Sequence, residues 1–340
     1  MNPEKQLREL VPYNQLCMIV GKLLGDGNIS IEKGRQPRFR FSHCLKDKEW
    51  VFWCYEQLKD HVELSFPKYR KVIDQRLKAG YSESYYTQSK VGEISTLLRE
   101  VWYPKGKKVL PVEFVNAHFS PLTLAWWYQD DGSLTISNST IRKVILSTNS
   151  FSNQENKKLI EILFANLHLS FSLDNQNRLV IYDQKQILYF LSLVREFIHP
   201  CMSRKINIPK NKPPSFQLNQ RTTITLPLTI PVTLPTKDLR QILSYLPELL
   251  SQLQNRVTYH HFFKHKFFLE NTDCTRKSYQ IQLEQNELRL LYECRQITGL
   301  SMNQITELCY ILQRNKNRNN NRNNNLIKEQ KIAYQFFIRN

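Results

Sequence analysis

The sequence predicts an α+β chain in which an α-β-β-α-β-β-α unit occurs twice and a mainly helical, basic extension follows. Three observations predict it. Two apolar stretches of helical length each stop at Asp-Gly: Ile19-Val20-Gly21-Lys22-Leu23-Leu24-Gly25-Asp26-Gly27 and Leu124-Ala125-Trp126-Trp127-Tyr128-Gln129-Asp130-Asp131-Gly132. Their terminal aspartates, Asp26 and Asp131, lie 105 residues apart, about the length of one small domain. The same order of strand and helix patterns follows each stretch, although few side chains match between the halves. Past residue 206 the chain turns rich in Pro, Thr and Asn and then becomes helical in pattern.

Taken in order, two strands are predicted after the first Asp-Gly, near Asn28–Glu32 and Arg38–Ser42. In the second, Phe39 and Phe41 alternate with Arg38, Arg40 and Ser42, the period of a half-buried strand. Lys46–Leu64 reads as an amphipathic helix with Trp50, Trp53, Cys54, Leu58 and Val62 on one side. Strands near Tyr69–Ile73 and Tyr85–Ser89 and a helix over Val91–Trp102 complete the first half. In the second half, helix Pro121–Asp131 leads to strands near Ser133–Ser137 and Lys143–Thr148. A helix over Ser152–Leu167 follows, with Ser152 and Glu155 spaced as a capping box. Strands near Ser170–Leu173 and Arg178–Tyr182 and a helix over Gln184–Ile198 close the half. The domain reading is thus a first half over 1–105, a second over 106–206, a linker over 207–236 and a helical basic extension over 237–340. Within the extension, Lys237–Leu253 and Gln285–Gln313 read as helical, Asn315–Asn325 as a flexible basic loop and Leu326–Asn340 as a short helix.

The 340 residues carry a formal net charge of +18, with 41% hydrophobic and 11% aromatic residues. That composition supports a packed core and points to a polyanionic partner, DNA or RNA. The charge is uneven: residues 1–200 hold 27 basic and 21 acidic side chains, and the remaining 140 hold 21 and 9. Seven cysteines, an odd number with no C-x-x-C pair, argue against a disulfide framework or a structural zinc site and for reduced thiols. No apolar run reaches bilayer-spanning length, and the N-terminal MNPEKQLREL lacks the apolar core of a signal peptide.

A single Asp-Gly is a common turn dipeptide. Two, each ending an apolar helix in a strongly basic chain, fit a different role. Phosphodiester hydrolysis needs charge neutralisation and an activated water, and a divalent metal held by hard carboxylate oxygens supplies both. One carboxylate from each of two paired helix ends is a partial ligand set for such an ion. Gly27 and Gly132 allow a sharp turn there, and Gly21 and Gly25 expose backbone for close helix–helix contact.

These two segments resemble the motifs of the LAGLIDADG homing endonucleases, and residues 10–210 look like the single-chain, double-motif branch of that family. The stretch Leu122–Asn149 is the most similar. The resemblance implies two pseudo-symmetric halves whose motif helices pack at a pseudo-twofold axis, a saddle of antiparallel sheets over the DNA major groove, and a monomer that cuts both strands. It implies Mg2+, with Mn2+ as a substitute, at Asp26 and Asp131, the acids directly before each last glycine. It also implies basic residues near the reacting phosphates, which map to Lys108 and Lys205; the alternative for each is a plain phosphate contact or a surface lysine. The chain departs from the pattern where Lys22 puts a charge in the first helix, where Trp126 replaces a small residue, and where Gln129-Asp130 places a second acid beside Asp131.

On the polar strand faces the candidate DNA contacts are Arg38, Arg40, Ser42, Lys68, Arg70 and Gln88 in the first half, and Arg142, Lys143, Asn175 and Arg178 in the second. In the extension, Asn286–Thr298, Gly299-Leu300-Ser301 and Met302–Gln313 have a helix–turn–helix spacing that any αα-hairpin can share. His260, His261 and His265 lack companion ligands and read as a basic stretch rather than a metal site. The function expected is a site-specific double-strand DNA endonuclease; the alternatives are an intron RNA maturase or a silent DNA-binding regulator on the same scaffold. The Asn-, Lys- and Tyr-rich composition fits an AT-rich genome, as in a chloroplast or mitochondrion, with a bacterial cytoplasm as the alternative.

Overall fold

The structure is a computed structural model that describes residues 2–32, 34–208, 221–265 and 275–320. The chain divides after Lys210 into two compact units. In the first, α1 (Pro3–Leu10) begins at Asn2, whose side chain accepts from the Glu4 N–H, with Pro3 at the first helical position. This short helix has no counterpart in the predicted elements; Leu7 anchors it.

The two halves then run in parallel. The first comprises α2 (Tyr13–Leu24), β1 (Asn28–Ser30), β2 (Arg38–Cys44), α3 (Lys48–Val62), β3 (Lys68–Ile73), β4 (Tyr81–Gln88) and α4 (Glu93–Trp102). A short helix absent from the predicted elements, α5 (Val112–Ala117), leads to α6 (Pro121–Asp131). The second half continues with β5 (Gly132–Ser137), β6 (Thr140–Leu146), α7 (Asn153–Leu167), β7 (Ser172–Leu173), β8 (Leu179–Ile181) and α8 (Gln184–Val194). Two 3-10 turns, Arg195–Phe197 and Pro200–Lys205, end the unit. Each half forms a four-stranded antiparallel sheet, of order β1-β2-β4-β3 and β5-β6-β8-β7, which is the same path walked twice. The α+β class and the doubled element order of the sequence are those observed.

Local chemistry accounts for the elements. Ser152 and Glu155 form the capping box that starts α7, and Glu155 also accepts from the Leu110 N–H, tying α7 to the segment before α5. In β2 the inward row is Phe39, Phe41 and His43, and the outward row is Arg38, Arg40, Ser42 and Cys44. Helices α2 and α6 are buried on nearly every side because they pack on each other, α2 also on α3 and α6 also on α8, β5 and β6. A Cβ on Gly21 would sit 2.7 Å from both the Thr123 carbonyl and the Trp126 Cβ, so glycine sets how closely the helices approach. A Cβ on Gly25 would lie 2.6 Å from that of Asp130. Gly27 and Gly132 are likewise steric requirements rather than left-handed turns: their missing Cβ atoms leave room for the Lys22 carbonyl and the Tyr128 ring. Trp126 fills the space beside Gly21 and packs at 5.3 Å on both Trp50 and Trp53, which stack on each other. Truncating so buried a tryptophan to alanine costs about 3–5 kcal/mol.

The second unit, taken by itself, pairs β9 (Arg221–Pro227) with β10 (Arg276–Gln282) in an antiparallel ribbon. Between them lie α9 (Pro235–Leu243), α10 (Leu246–Gln254) and α11 (Arg256–His265), and after them α12 (Gln285–Thr298) and α13 (Met302–Asn320). This corrects the linker reading of 207–236: Arg221–Pro227 is a strand whose Ile224 and Leu226 enter the core. The predicted helix Lys237–Leu253 is two helices, because Pro247 starts a new one. The segment read as a loop from Asn315 is helical to Asn320, and Lys316 is held to Glu248 at 2.9 Å. The expected helix Leu326–Asn340 lies outside the described residues. Among the described residues, six cysteines are free thiols and no helix is long and apolar enough to cross a membrane.

Candidate metal centre

Both predicted metal ligands sit at the ends of α2 and α6, where the chain enters β1 and β5. Asp26 is partly accessible, with 38% of its side chain exposed. Burial and the nearby charge of Asp130 raise its pKa. Asp131 is pushed up to about 7, first by burial and then by the charges of Asp26 and Asp130. Two hard carboxylates that repel each other inside a partly desolvated site are a fit donor set for a divalent cation, whose charge would relieve both.

Asp130, the extra acid of the second motif, is used differently. Its side chain is fully buried, and Lys22, equally buried, pairs with it at 2.8 Å. The Asp130 Oδ1 also accepts from Trp50 Nε1 at 2.9 Å, and its Oδ2 from the Asp26 backbone N–H at 3.2 Å. Burial on its own would raise the Asp130 pKa, but the Lys22 ammonium beside it holds it well below the usual carboxylate range. Burial pulls Lys22 down, but the charge and hydrogen bond of Asp130, with Cys54 and Asp26, together outweigh it, so the ammonium is kept. The ammonium lies over the rings of Phe41 at 4.6 Å and Trp50 at 4.9 Å. Asp26, His43 and Asp130 present ligand atoms within 4.8 Å of one another, the spacing of a metal site. The Lys22 ammonium already supplies a cation to that group, and Asp130 is its partner.

The two predicted lysines each return from the end of their half to the end of that half's motif helix. Lys108 Nζ reaches the Gly27 carbonyl at 3.4 Å, and burial lowers its pKa to about 8 despite Asp131 and Asp26. Lys205 Nζ donates to the last carbonyls of α6, those of Tyr128, Gln129 and Asp130, at 3.0, 2.6 and 3.1 Å. Burial lowers it too to about 8, with Asp130 opposing. Three acceptors for three ammonium protons tie Lys205 to a helix C-terminus, whereas Lys108 has one long hydrogen bond and lies 5.5 Å from the Phe151 ring. The loop carrying Lys205 is pinned by Arg204 to Asp47 at 2.9 Å and by the Tyr128 hydroxyl to the Lys205 carbonyl at 2.6 Å.

The first-half sheet gathers the predicted polar residues on one face. The register pairs Arg40 with Gln88, Ser42 and Lys68 with Tyr86, Arg70 with Ser84, and Arg38 with Ser30. Cross-strand partners share a face, so Arg38, Arg40, Ser42, Lys68, Arg70 and Gln88 all lie opposite Phe39 and Phe41. The second-half residues are not gathered in this way. Arg142 sits where the β5–β6 register shifts, Lys143 pairs with Thr135, and Asn175 is on the turn before β8. Arg178 is engaged by Asp174 at 2.6 Å, an ion pair that the four-residue spacing permits.

The sequence reading missed His43, although its place on the inward row of β2 beside Asp-Gly was a usable signal. The helix pair in the second unit has the turn expected of its spacing: Gly299 is left-handed at φ 73°, and Ser301 caps α13 through Gln304. Ile305–Cys309 are nevertheless all buried, and Asn303 accepts from the Thr225 N–H while Glu307 pairs with Arg276. The first half of α13 is therefore a core helix of this unit, without the free face that groove docking needs. His260 and His261 lie on α11, and the described residues hold no metal-ligand group there.

Comparison with known proteins bears on the family and the fold. The model of the LAGLIDADG DNA endonuclease family matches residues 16–226. An uncharacterized protein of Methanocaldococcus jannaschii is 30% identical over 196 residues, covering 55% of this chain and 71% of that one. A cytochrome b mRNA maturase, bI2, of Debaryomyces hansenii is 26% identical over 202 residues, covering 56% and 72%. Among solved structures, the homing endonuclease I-WcaI bound to its DNA recognition sequence superposes with a TM-score of 0.52 at 20% identity. That match covers 61% of this chain and 92% of the other, and it speaks for the fold.

Proposed function

The chain belongs to the LAGLIDADG DNA endonuclease family, and on that footing we propose that it is a site-specific double-strand DNA endonuclease of the homing type, active as a single chain. The observation that carries the proposal is the pair of carboxylates, Asp26 and Asp131, at the ends of two helices in van der Waals contact, both with raised pKa values. They would hold Mg2+, or Mn2+ in its place. The bound ion supplies charge neutralisation and an activated water for attack on phosphorus.

The chain's own residues do the rest. Lys205, locked on the end of α6, places an ammonium beside the acids for the phosphate. Lys108, lowered by burial to about 8, holds or takes up a proton next to Gly27 and Asp131. Arg38, Arg40, Ser42, Lys68, Arg70 and Gln88 form the DNA-facing side of the first sheet, with arginine suited to guanine and glutamine to adenine edges. Lys143, Arg142 and Asn175 extend the contact in the second half, while Arg178 serves its turn first.

A maturase role is the second reading, and the likeness to the D. hansenii maturase favours it. Mapping cleavage of a genomic or randomised DNA library with Mg2+, for the wild type and for Asp26→Asn and Asp131→Asn, tests the proposal. A discrete double-strand cut lost in both variants is expected. No cut at any sequence, with the fold intact and intron RNA bound tightly, would replace the endonuclease with the maturase.

A further inference from the structure

Lys22, Asp130 and His43 are three ionisable side chains buried beside Asp26, and two-carboxylate chemistry by itself gives them no task. Their hydrogen bonds have a direction. The Lys22 ammonium lies 2.9 Å from His43 Nε2 and 2.8 Å from Asp130 Oδ1, and Nε2 stands 3.3 Å from that oxygen, farther than from the ammonium. An ammonium has protons and no lone pair, so the ring nitrogen facing it accepts. A neutral imidazole that accepts at Nε2 carries its proton on Nδ1. Nδ1 is the atom that stands 3.2 Å from Asp26 Oδ2. The donor chain therefore runs from Lys22 through His43 to the Asp26 carboxylate, and Asp130 anchors the lysine from which it starts.

Asp26 is thus held at two points. Asp130 takes its backbone N–H at 3.2 Å, and His43 faces one of its carboxylate oxygens. The other half is built differently. The offset of 105 residues that relates Asp26 to Asp131 relates His43 to Thr148, whose hydroxyl donates to the Asn177 carbonyl at 3.0 Å. We propose that His43 is a positioning residue for Asp26: its tautomer is fixed by the buried Lys22–Asp130 pair, and its Nδ1–H turns the Asp26 carboxylate so that the second oxygen faces the metal. The proposal rests on the reading of Asp26 as a metal ligand. It makes the two carboxylates unequal, one oriented by an imidazole and the other not.

The test compares two substitutions that keep different halves of the ring. Asparagine places an amide N–H where the ring carries Nδ1; glutamine reaches the place of Nε2 and leaves Nδ1 without a donor. Mn2+ binding to the DNA-free protein is followed by electron paramagnetic resonance for the wild type, His43→Asn, His43→Gln and Asp26→Asn, with thermal midpoints recorded alongside. Loss of an orienting partner to a metal ligand weakens binding roughly tenfold or more, and that is expected for His43→Gln, with His43→Asn within about threefold of the wild type on the same scale. Equal affinities for the wild type, His43→Asn and His43→Gln overturn the proposal. So does an equal fall in His43→Asn and His43→Gln, which would mean that the ring's bulk matters rather than its donor. If Asp26→Asn binds Mn2+ like the wild type, the metal reading of Asp26 has failed, and the tautomer is read without metal. Long-range proton–nitrogen spectra of His43 are expected to show the Nδ1–H form, lost in Lys22→Met; an Nε2–H form in the wild type overturns the proposal.

Discussion

Lys22→Met is the sharpest perturbation this molecule offers. It removes the ammonium, keeps most of the side chain's length and leaves Asp130 charged in a site with no solvent access. At 2.8 Å the pair attracts by about 6 kcal/mol with an effective dielectric constant of 20. Burial of both groups opposes that gain, so the pair itself is worth less than the attraction. Stranding one partner, however, costs about 3–5 kcal/mol. For a unit of this size each kcal/mol moves the melting midpoint by roughly 2–4 °C, so a drop of about 6–20 °C is expected on the same scale. The assay is direct because all five tryptophans lie in the first unit, and their fluorescence reports its unfolding alone. The decisive comparison is a double-mutant cycle with Asp130→Asn, which removes the charge and keeps one acceptor, for Trp50, while an amide NH2 replaces the oxygen that meets the Asp26 N–H. Lys22→Met with Asp130→Asn is expected to be more stable than Lys22→Met alone, with a coupling of about 2 kcal/mol or more. A cost below about 1 kcal/mol for Lys22→Met, or strict additivity in the cycle, would refute the reasoning.

Other outcomes follow from the same geometry. Gly21→Ala gains about 1 kcal/mol of helix propensity but puts a Cβ 2.7 Å from a carbonyl and from another Cβ; a net loss of about 2 kcal/mol by urea denaturation is expected. In metal-free protein the folded state keeps the Asp131 proton up to about pH 7, while the unfolded chain releases it near its ordinary value. That contribution to stability is full at low pH and lost as pH rises through about 7. Because metal must displace the proton, Mn2+ affinity measured calorimetrically should fall roughly tenfold per unit as pH drops below that value, and Asp131→Asn should weaken both the affinity and this dependence. Arg40→Ala and Arg70→Ala should each weaken DNA binding and lower the salt slope by about one, whereas Arg178→Ala, already paired with Asp174, should change the slope little.

The sheets were legible because their chemistry is local. Phe39 and Phe41 against Arg38 and Arg40 state which face is which within five residues, and Ser152 with Glu155 marks a helix start within four. The elements that escaped are those whose reasons lie far along the chain. Strand β9 pairs with β10 some fifty residues on, and its threonines and prolines look like linker until Tyr279 and Ile281 complete its face. Lys22 read as an interruption because its partner stands 108 residues away, and Asp130 read as an ambiguity for the same reason. The two oddities explain each other only once α2 and α6 are side by side. The helix-turn-helix spacing was visible, but the burial of Thr306 and Glu307 was not, since neither residue type announces a core position.

The contact between α2 and α6 also has a consequence for ancestry and for engineering. Across the axis, Gly21 meets Trp126 and Gly25 meets Asp130, and each pair is related by the same 105-residue offset that joins the motifs. Each residue thus faces its own counterpart, small against large. Two copies of the first half would set glycine against glycine, leaving a void and two lysines without a carboxylate. Two copies of the second would set tryptophan against tryptophan and carboxylate against carboxylate. Neither half can stand in for the other, so the covalent fusion is not a convenience of expression: each half has become the other's obligatory mould. Hybrids that graft either half onto a foreign partner must carry the matching cavity or filling with them.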